Sequence, residues 1–208
     1  MSAQSAEGAT LIPPRALAGR WHAVFGETEG VFPNPHQSVT LHTTKEPPMD
    51  TPPPTPQHNW LKQLVGNWTI TGTCTMPDGS TGKSDATESA RMVGDYFLHA
   101  ILKGKVPGMD TPVETILILG FDPDSNTFVG TWIGSPLPQL INYTGTLSED
   151  QTTLTLACDA PDLEDQSKTS AYRDVIVITS ENTREFHSEI QLEDGSWNRF
   201  MSSYYTRA

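Results

Sequence analysis

Basic residues are scarce in this 208-residue chain: 13 Lys and Arg stand against 25 Asp and Glu, a formal net charge of -12. That balance excludes an electrostatic grip on nucleic-acid phosphates or anionic lipid, since both need clustered cations. Cysteine is scarcer still. Cys74 and Cys158 are the only two, 84 positions apart, and neither belongs to a CxxC pair or lies at ligand spacing from a histidine, so no zinc or redox motif is readable. No apolar run approaches the about 18 residues that a membrane-crossing helix needs, and the first 25 residues lack the positive start and apolar core of an export signal. The chain reads as soluble and cytoplasmic, with no nucleic-acid and no membrane partner. GxSxG, HExxH, calcium-loop and phosphate-cradling motifs are all absent, and Gly104 to Gly108 lacks the helix that phosphate binding requires. Asn67-Trp68-Thr69 and Asn142-Tyr143-Thr144 match the glycosylation triplet without the secretion that this chemistry needs.

What is present divides the chain in two. Residues 1–57 hold ten of the 17 prolines and no sustained periodicity, and Lys45 to Gln57, KEPPMDTPPPTPQ, is expected to be an extended linker because proline removes donors and fixes φ. The expectation for 1–57 is a disordered, Pro-rich lead. An SH3-type ligand and a true start near Met49 are the alternatives. Trp21, Val24 and Phe25 form a short apolar patch with too few neighbours to bury it. The lead carries five acids and three bases, leaving 20 acids and ten bases beyond it, so the acidity belongs to residues 58–208, a length suited to one domain with a real core.

Trp60 to Trp68, WLKQLVGNW, opens that domain with a short helix over 57–65 whose Leu61, Leu64 and Val65 share one side. Beyond it, apolar and β-branched runs alternate with turn signals at Pro77-Asp78-Gly79, Val93-Gly94-Asp95, Asp122-Pro123-Asp124, Ser148-Glu149-Asp150 and Glu193-Asp194-Gly195. Strands are predicted near 67–76, 84–92, 95–104, 113–121, 126–134, 139–147, 152–159, 169–179, 183–192 and 196–206. Tight turns force antiparallel pairing, and nine or ten such strands relieve their edges by closing. The expected fold is all-β: a closed antiparallel up-and-down barrel with the helix capping one end, wide enough to hold a ligand.

The domain resembles an uncharacterised bacterial family, domain of unknown function 1579, among the lipocalin-like or calycin-like barrels. The elements that carry the resemblance run in order over residues 58–207: WLKQLVGNW at 60–68, ESAR at 88–91, ILGFD at 118–122, GTWIGS at 130–135, YTGTL at 143–147, KTSAYRDV at 168–175 and DGSWNRFMSSYY at 194–205. Phe121 stands where the family pattern usually has Tyr, and the Pro-rich lead is outside it. The resemblance implies a barrel and little about activity.

Candidate site residues follow from strand alternation. Ser84, Ala86, Glu88, Ala90 and Met92 share one face of their strand, the inward one. A carboxylate there needs a partner; it is either a structural ion pair or a ligand-facing group. In Ala171-Tyr172-Arg173-Asp174-Val175, Arg173 and Asp174 point to opposite faces, and apolar neighbours on both leave open which is inside. An inward Arg173 would pair with Glu88 and, with Tyr143, orient a ligand carboxylate or enolate; an outward one would be a rim charge. Trp132 lies beside Gly130, Gly134 and Ser135, which permit close approach of a backbone or a bound molecule. Trp197, Met201 and Tyr205 fall on one face of the last strand, with Arg199 between them. His99 and His187 are the strand histidines that could hold a haem iron, without a supporting motif. The cavity-lining set is Glu88, Trp132, Tyr143, Tyr172, Arg173 and Met201, with no metal and no cofactor. The expected function is binding of a small, mainly apolar molecule in the barrel. The alternative is an acid–base isomerase, cyclase or lyase on a hydrophobic substrate, with Glu88 or Tyr172 moving the proton; a third possibility is a filled barrel serving as a surface module.

Overall fold

The computed structural model describes residues 51–76, 79–106 and 109–208. The lead to Asp50, with Trp21, Val24 and Phe25, lies outside the described residues, as do Pro77-Asp78 of the first hairpin and Pro107-Gly108 of the Gly104-to-Gly108 stretch. A short helix, α1 (Pro56–Trp60), tightens into a 3-10 turn (Leu61–Leu64). Ten strands follow: β1 (Gly66–Thr75), β2 (Thr81–Val93), β3 (Phe97–Lys105), β4 (Val113–Asp122), β5 (Thr127–Gly134), β6 (Leu137–Leu147), β7 (Thr153–Pro161), β8 (Thr169–Ser180), β9 (Thr183–Gln191) and β10 (Trp197–Arg207). Each pairs antiparallel with its sequence neighbour, and β1 closes on β10 from Trp68↔Arg207 to Cys74↔Met201. The expected closed up-and-down barrel is thus observed, with ten strands.

Turn chemistry explains why the chain reverses where it does. Asp122 accepts from the backbone N–H of Asp124 at 3.0 Å and from the Ser125 hydroxyl at 2.7 Å, while Asn126 takes the left-handed conformation with φ 54°. Asp150 and Asp194 accept equivalent donors from Thr152 and Ser196. These local bonds hold the turn carboxyls below the usual carboxylate range. Part of the chain's acidity therefore does hairpin work.

The helix begins at Pro56, one residue ahead of the sequence expectation, because proline at the first helical position loses only an N–H that would have no helical partner. Thr55 caps it: its hydroxyl accepts from the His58 backbone N–H, and His58 Nδ1 accepts from the Thr55 backbone N–H at 3.1 Å. Three apolar side chains, Trp60, Leu61 and Leu64, are buried in the barrel end with Leu98, Phe121, Phe128 and Leu154. Each fully buried Leu contributes roughly 1.5–3 kcal/mol by area. Polar contacts fix the seat: Trp60 Nε1 donates to the Gln151 carbonyl at 2.7 Å, Trp68 Nε1 to the Leu64 carbonyl at 3.0 Å, and Arg207 Nη1 to the Val65 carbonyl at 2.6 Å. The helix therefore caps the end of the barrel that carries the β2–β3, β4–β5, β6–β7 and β8–β9 hairpins.

Candidate functional site

Packing differs along the barrel axis. At the capped end many inward side chains are sealed, among them Trp68, Leu98, Leu119, Phe128, Leu154 and Ile176. Towards the other end β1, β2 and β3 present Gly72, Cys74, Ser84, Ala86 and Gly104 to the interior, and a Cβ at Gly72 would come within 2.6 Å of Ser84 Oγ and 2.8 Å of Ser203 Oγ. The adjoining wall, β4 to β6, is bulkier, formed by Leu117, Trp132, Ile141 and Tyr143. Leu102, Leu117, Trp132, Cys158 and Met201 point inward yet keep accessible surface. Small residues on one wall and inward side chains that keep accessible surface are the features of a lumen that side chains do not wholly fill.

Two carboxylates face the interior in different company. Glu88 is paired across the barrel with Arg184, at 7% and 5% side-chain exposure. The guanidinium lies between the rings of Tyr205 and Trp68, 4.2 and 4.8 Å from their centroids. Burial holds the Glu88 carboxyl above its ordinary value, a push that Arg184 partly offsets. Arg184 Nε is buried without a hydrogen-bond partner, as expected where aromatic faces rather than acceptors surround a fork.

Asp174 sits mid-barrel in a row of inward side chains running from Leu156 through Asp174, Ser188 and Met201 to Cys74. Its Oδ2 accepts from the Tyr143 hydroxyl at 2.5 Å and its Oδ1 from the Ser188 hydroxyl at 2.5 Å. Among the described residues no cation offsets the cost of burial, which pushes the Asp174 carboxyl up against the lowering effect of these two donors. Burial and the Asp174 charge also push the Tyr143 hydroxyl up, and the neighbouring Cys158 thiol up to about 12. Asp174 nonetheless keeps accessible surface. A carboxyl deep within the protein, yet partly open, faces the lumen.

The sequence-predicted residues divide accordingly. Glu88, Trp132, Tyr143, Tyr172 and Met201 point into the barrel. Arg173 does not: the register Ala157↔Arg173↔Glu189 puts it on the outer face, so an inward Arg173 paired with Glu88 is corrected. There its Nε donates to Glu189 Oε2 at 2.5 Å, Arg199 Nε donates to Glu189 Oε1 at 2.9 Å, and the Arg173 guanidinium lies 4.3 Å from the Trp197 ring centroid. Burial tends to raise the Glu189 carboxyl, but the two guanidiniums bring it below its ordinary value. A register shift between Arg199 and Met201 separates Trp197, which pairs with outward Gln191, from inward Met201 and Tyr205; strict alternation across 197–205 fails at that bulge. Tyr172 spends its hydroxyl on the Pro161 carbonyl at 2.8 Å and its ring on Phe200, which ties β8 to the end of β7. Gly134 makes room for the Trp132 indole itself, 2.5 Å from where a Cβ would stand. His99 and His187 pair with outward residues of their neighbours, so neither reaches the interior as a haem ligand.

Sequence reasoning missed Arg184 and Ser188, although β9 alternates legibly: Arg184, Phe186, Ser188 and Ile190 share one face against Glu185, His187 and Glu189. A separate cleft of about 300 Å3 lies between α1 and the β4–β5 and β6–β7 hairpins, lined by Pro56, Gln57, Phe121, Phe128, Leu147 and Gln151 among others. No helix among the described residues is long and apolar enough to cross a membrane.

A family model described as a protein of unknown function (DUF1579) matches residues 53–207. No curated protein sequence matches. Among solved structures, Rv2717c from M. tuberculosis aligns with a TM-score of 0.52 at 13% identity, over 75% of this chain and 99% of that one. The S-type phycobiliprotein lyase CPES from Guillardia theta aligns with a TM-score of 0.48 at 15% identity, over 73% and 92%. EF1p2_mFAP2b bound to DFHBI aligns with a TM-score of 0.39 at 14% identity, over 73% and 98%. The likeness to Rv2717c speaks to the fold alone.

Proposed function

The chain belongs to the DUF1579 family, and from that premise and the geometry of its interior we propose that it holds a small, mainly apolar molecule inside the barrel. The observation that carries this reading is that Leu102, Leu117, Trp132 and Met201 face inward and keep accessible surface beside the small residues Gly72, Ser84, Ala86 and Gly104. A mostly apolar enclosure with a few convergent polar groups is the usual make-up of a small-molecule pocket. Here the polar group is the Asp174–Tyr143–Ser188 cluster. Glu88, tied to Arg184 and sealed, serves the fold.

The test is a neutral fluorescent probe, N-phenyl-1-naphthylamine, titrated into the full chain. One-to-one binding is expected, lost in Ser84→Phe, which fills the lumen, with thermal stability retained. Equal binding by that variant would place the probe elsewhere and sink the reading. Native mass spectrometry of the unrefolded protein, compared with its denatured mass, identifies any molecule that co-purifies.

A second reading, acid–base catalysis on a hydrophobic substrate, is favoured by one observation: the Asp174 carboxyl is pushed up and hydrogen-bonded to a tyrosine within that lumen. Asp174 takes the role first assigned to Glu88 or Tyr172, since the former is ion-paired and the latter's hydroxyl is committed to Pro161. A chemically altered ligand after long incubation separates this reading from simple binding.

A further inference from the structure

Charge inside the barrel does not balance. Among the described strand residues that point into the lumen, Glu88 and Arg184 cancel each other, Arg207 at the capped rim is spent on the backbone carbonyls of Val65, Gln63 and Glu181, and Asp174 has no cation. Its two donors, Tyr143 and Ser188, are neutral hydroxyls. Each takes one carboxylate oxygen, which fixes the orientation of both and leaves further lone pairs free. An ionised carboxylate in a low-dielectric enclosure is stabilised by a charge of opposite sign, and a charge-assisted N–H···O⁻ bond is the strong way to supply it.

Resting on the binding reading above, we infer that the molecule held in the barrel is an apolar amine: a single ammonium group donating to Asp174, on a hydrocarbon or aromatic body lying against Trp132, Leu117 and Met201. The carboxylate or enolate anticipated for an inward Arg173 does not suit this lumen, because that guanidinium lies outside and those of Arg184 and Arg207 are already committed. An anionic head would meet Asp174 with like charge. A neutral alcohol would leave the charge uncompensated.

Three probes sharing one body test this: octylamine, 1-octanol and octanoate, titrated calorimetrically into the full chain at physiological salt. Octylamine is protonated at neutral pH, as a lysine side chain is. The expected result is one-to-one binding of octylamine at least about tenfold tighter than octanol, in line with the added worth of a hydrogen bond to a charged group, with octanoate weakest. Asp174→Asn, checked for folding by circular dichroism, should erase the amine's advantage over octanol. Arg173→Ala, which removes a cation from the outer face, should keep the preference. Octanol or octanoate binding as well as octylamine overturns the amine assignment and leaves the binding reading standing. Binding of none of the three overturns both. Several amines bound per chain, with Asp174→Asn unaffected, assigns the effect to diffuse attraction by an acidic surface and overturns the amine assignment alone.

Discussion

The capped and open halves of the barrel each bury a carboxylate, and they treat it in opposite ways. At the capped end Glu88 has Arg184, two aromatic faces around the guanidinium, and a plug of Trp60, Leu61 and Leu64. In the more open half Asp174 has two neutral hydroxyls and accessible surface. Glu88 is internally compensated, and its pair is part of the core. Asp174 is held in place but left uncompensated by the described side chains. The difference separates a buried charge that the fold itself compensates from one that it does not.

Breaking the compensated pair has the largest expected effect. Glu88→Ala leaves the Arg184 charge buried among rings and should destabilise the fold by roughly 3–5 kcal/mol, read from urea unfolding; the double change Glu88→Leu with Arg184→Met should recover most of that loss. If the single change costs nothing, the pair is not a core element. The plug comes next. Leu61→Ala should cost roughly 2–5 kcal/mol, and native-state hydrogen exchange should quicken at the capped end ahead of the rest.

Asp174→Asn sharpens the comparison by pH. The native Asp174 carboxyl titrates above its ordinary value of 3.8, so the folded protein binds that proton more tightly than the unfolded chain does. The group's contribution is therefore most favourable below about 4 and is lost as pH rises through the raised native value. The thermal stability of Asp174→Asn relative to wild type should increase between about pH 4 and pH 8, and a flat difference would mean that Asp174 is not held uncompensated. The smallest effect belongs to the outer face. Arg173 and Arg199 share Glu189 at 35% and 49% side-chain exposure, and Arg173→Ala should cost no more than about 1 kcal/mol with probe binding unchanged. A loss of binding there would return Arg173 to the site.

Much of the architecture was legible in the chain because its signals are local. All ten strands lie within three residues of the positions set by alternation and turn residues, the largest departure being β2, which starts at Thr81 rather than 84. The inward face of β2, with Glu88, follows from its small and apolar neighbours. The site was less legible. On β8 both faces are apolar, with Tyr172, Ile176 and Ile178 against Val175 and Val177, so period-two reasoning leaves Arg173 and Asp174 exchangeable. On β10 a bulge between Arg199 and Met201 inverts the alternation midway, and no residue there announces it.

By itself, then, the sequence determined what depends on neighbours along the chain: nine or ten strands, their antiparallel succession, the capping helix and the excess of acidic over basic residues. Only the tertiary structure decided what depends on closure. Which face of β8 turns inward is set by the register with β7 and β9, and the partnership of Glu88 with Arg184, 96 residues apart, exists only once β1 has met β10 and the lumen has an opposite side. The isolation of Asp174 follows from the same closure, since a charge is uncompensated only relative to every wall that faces it.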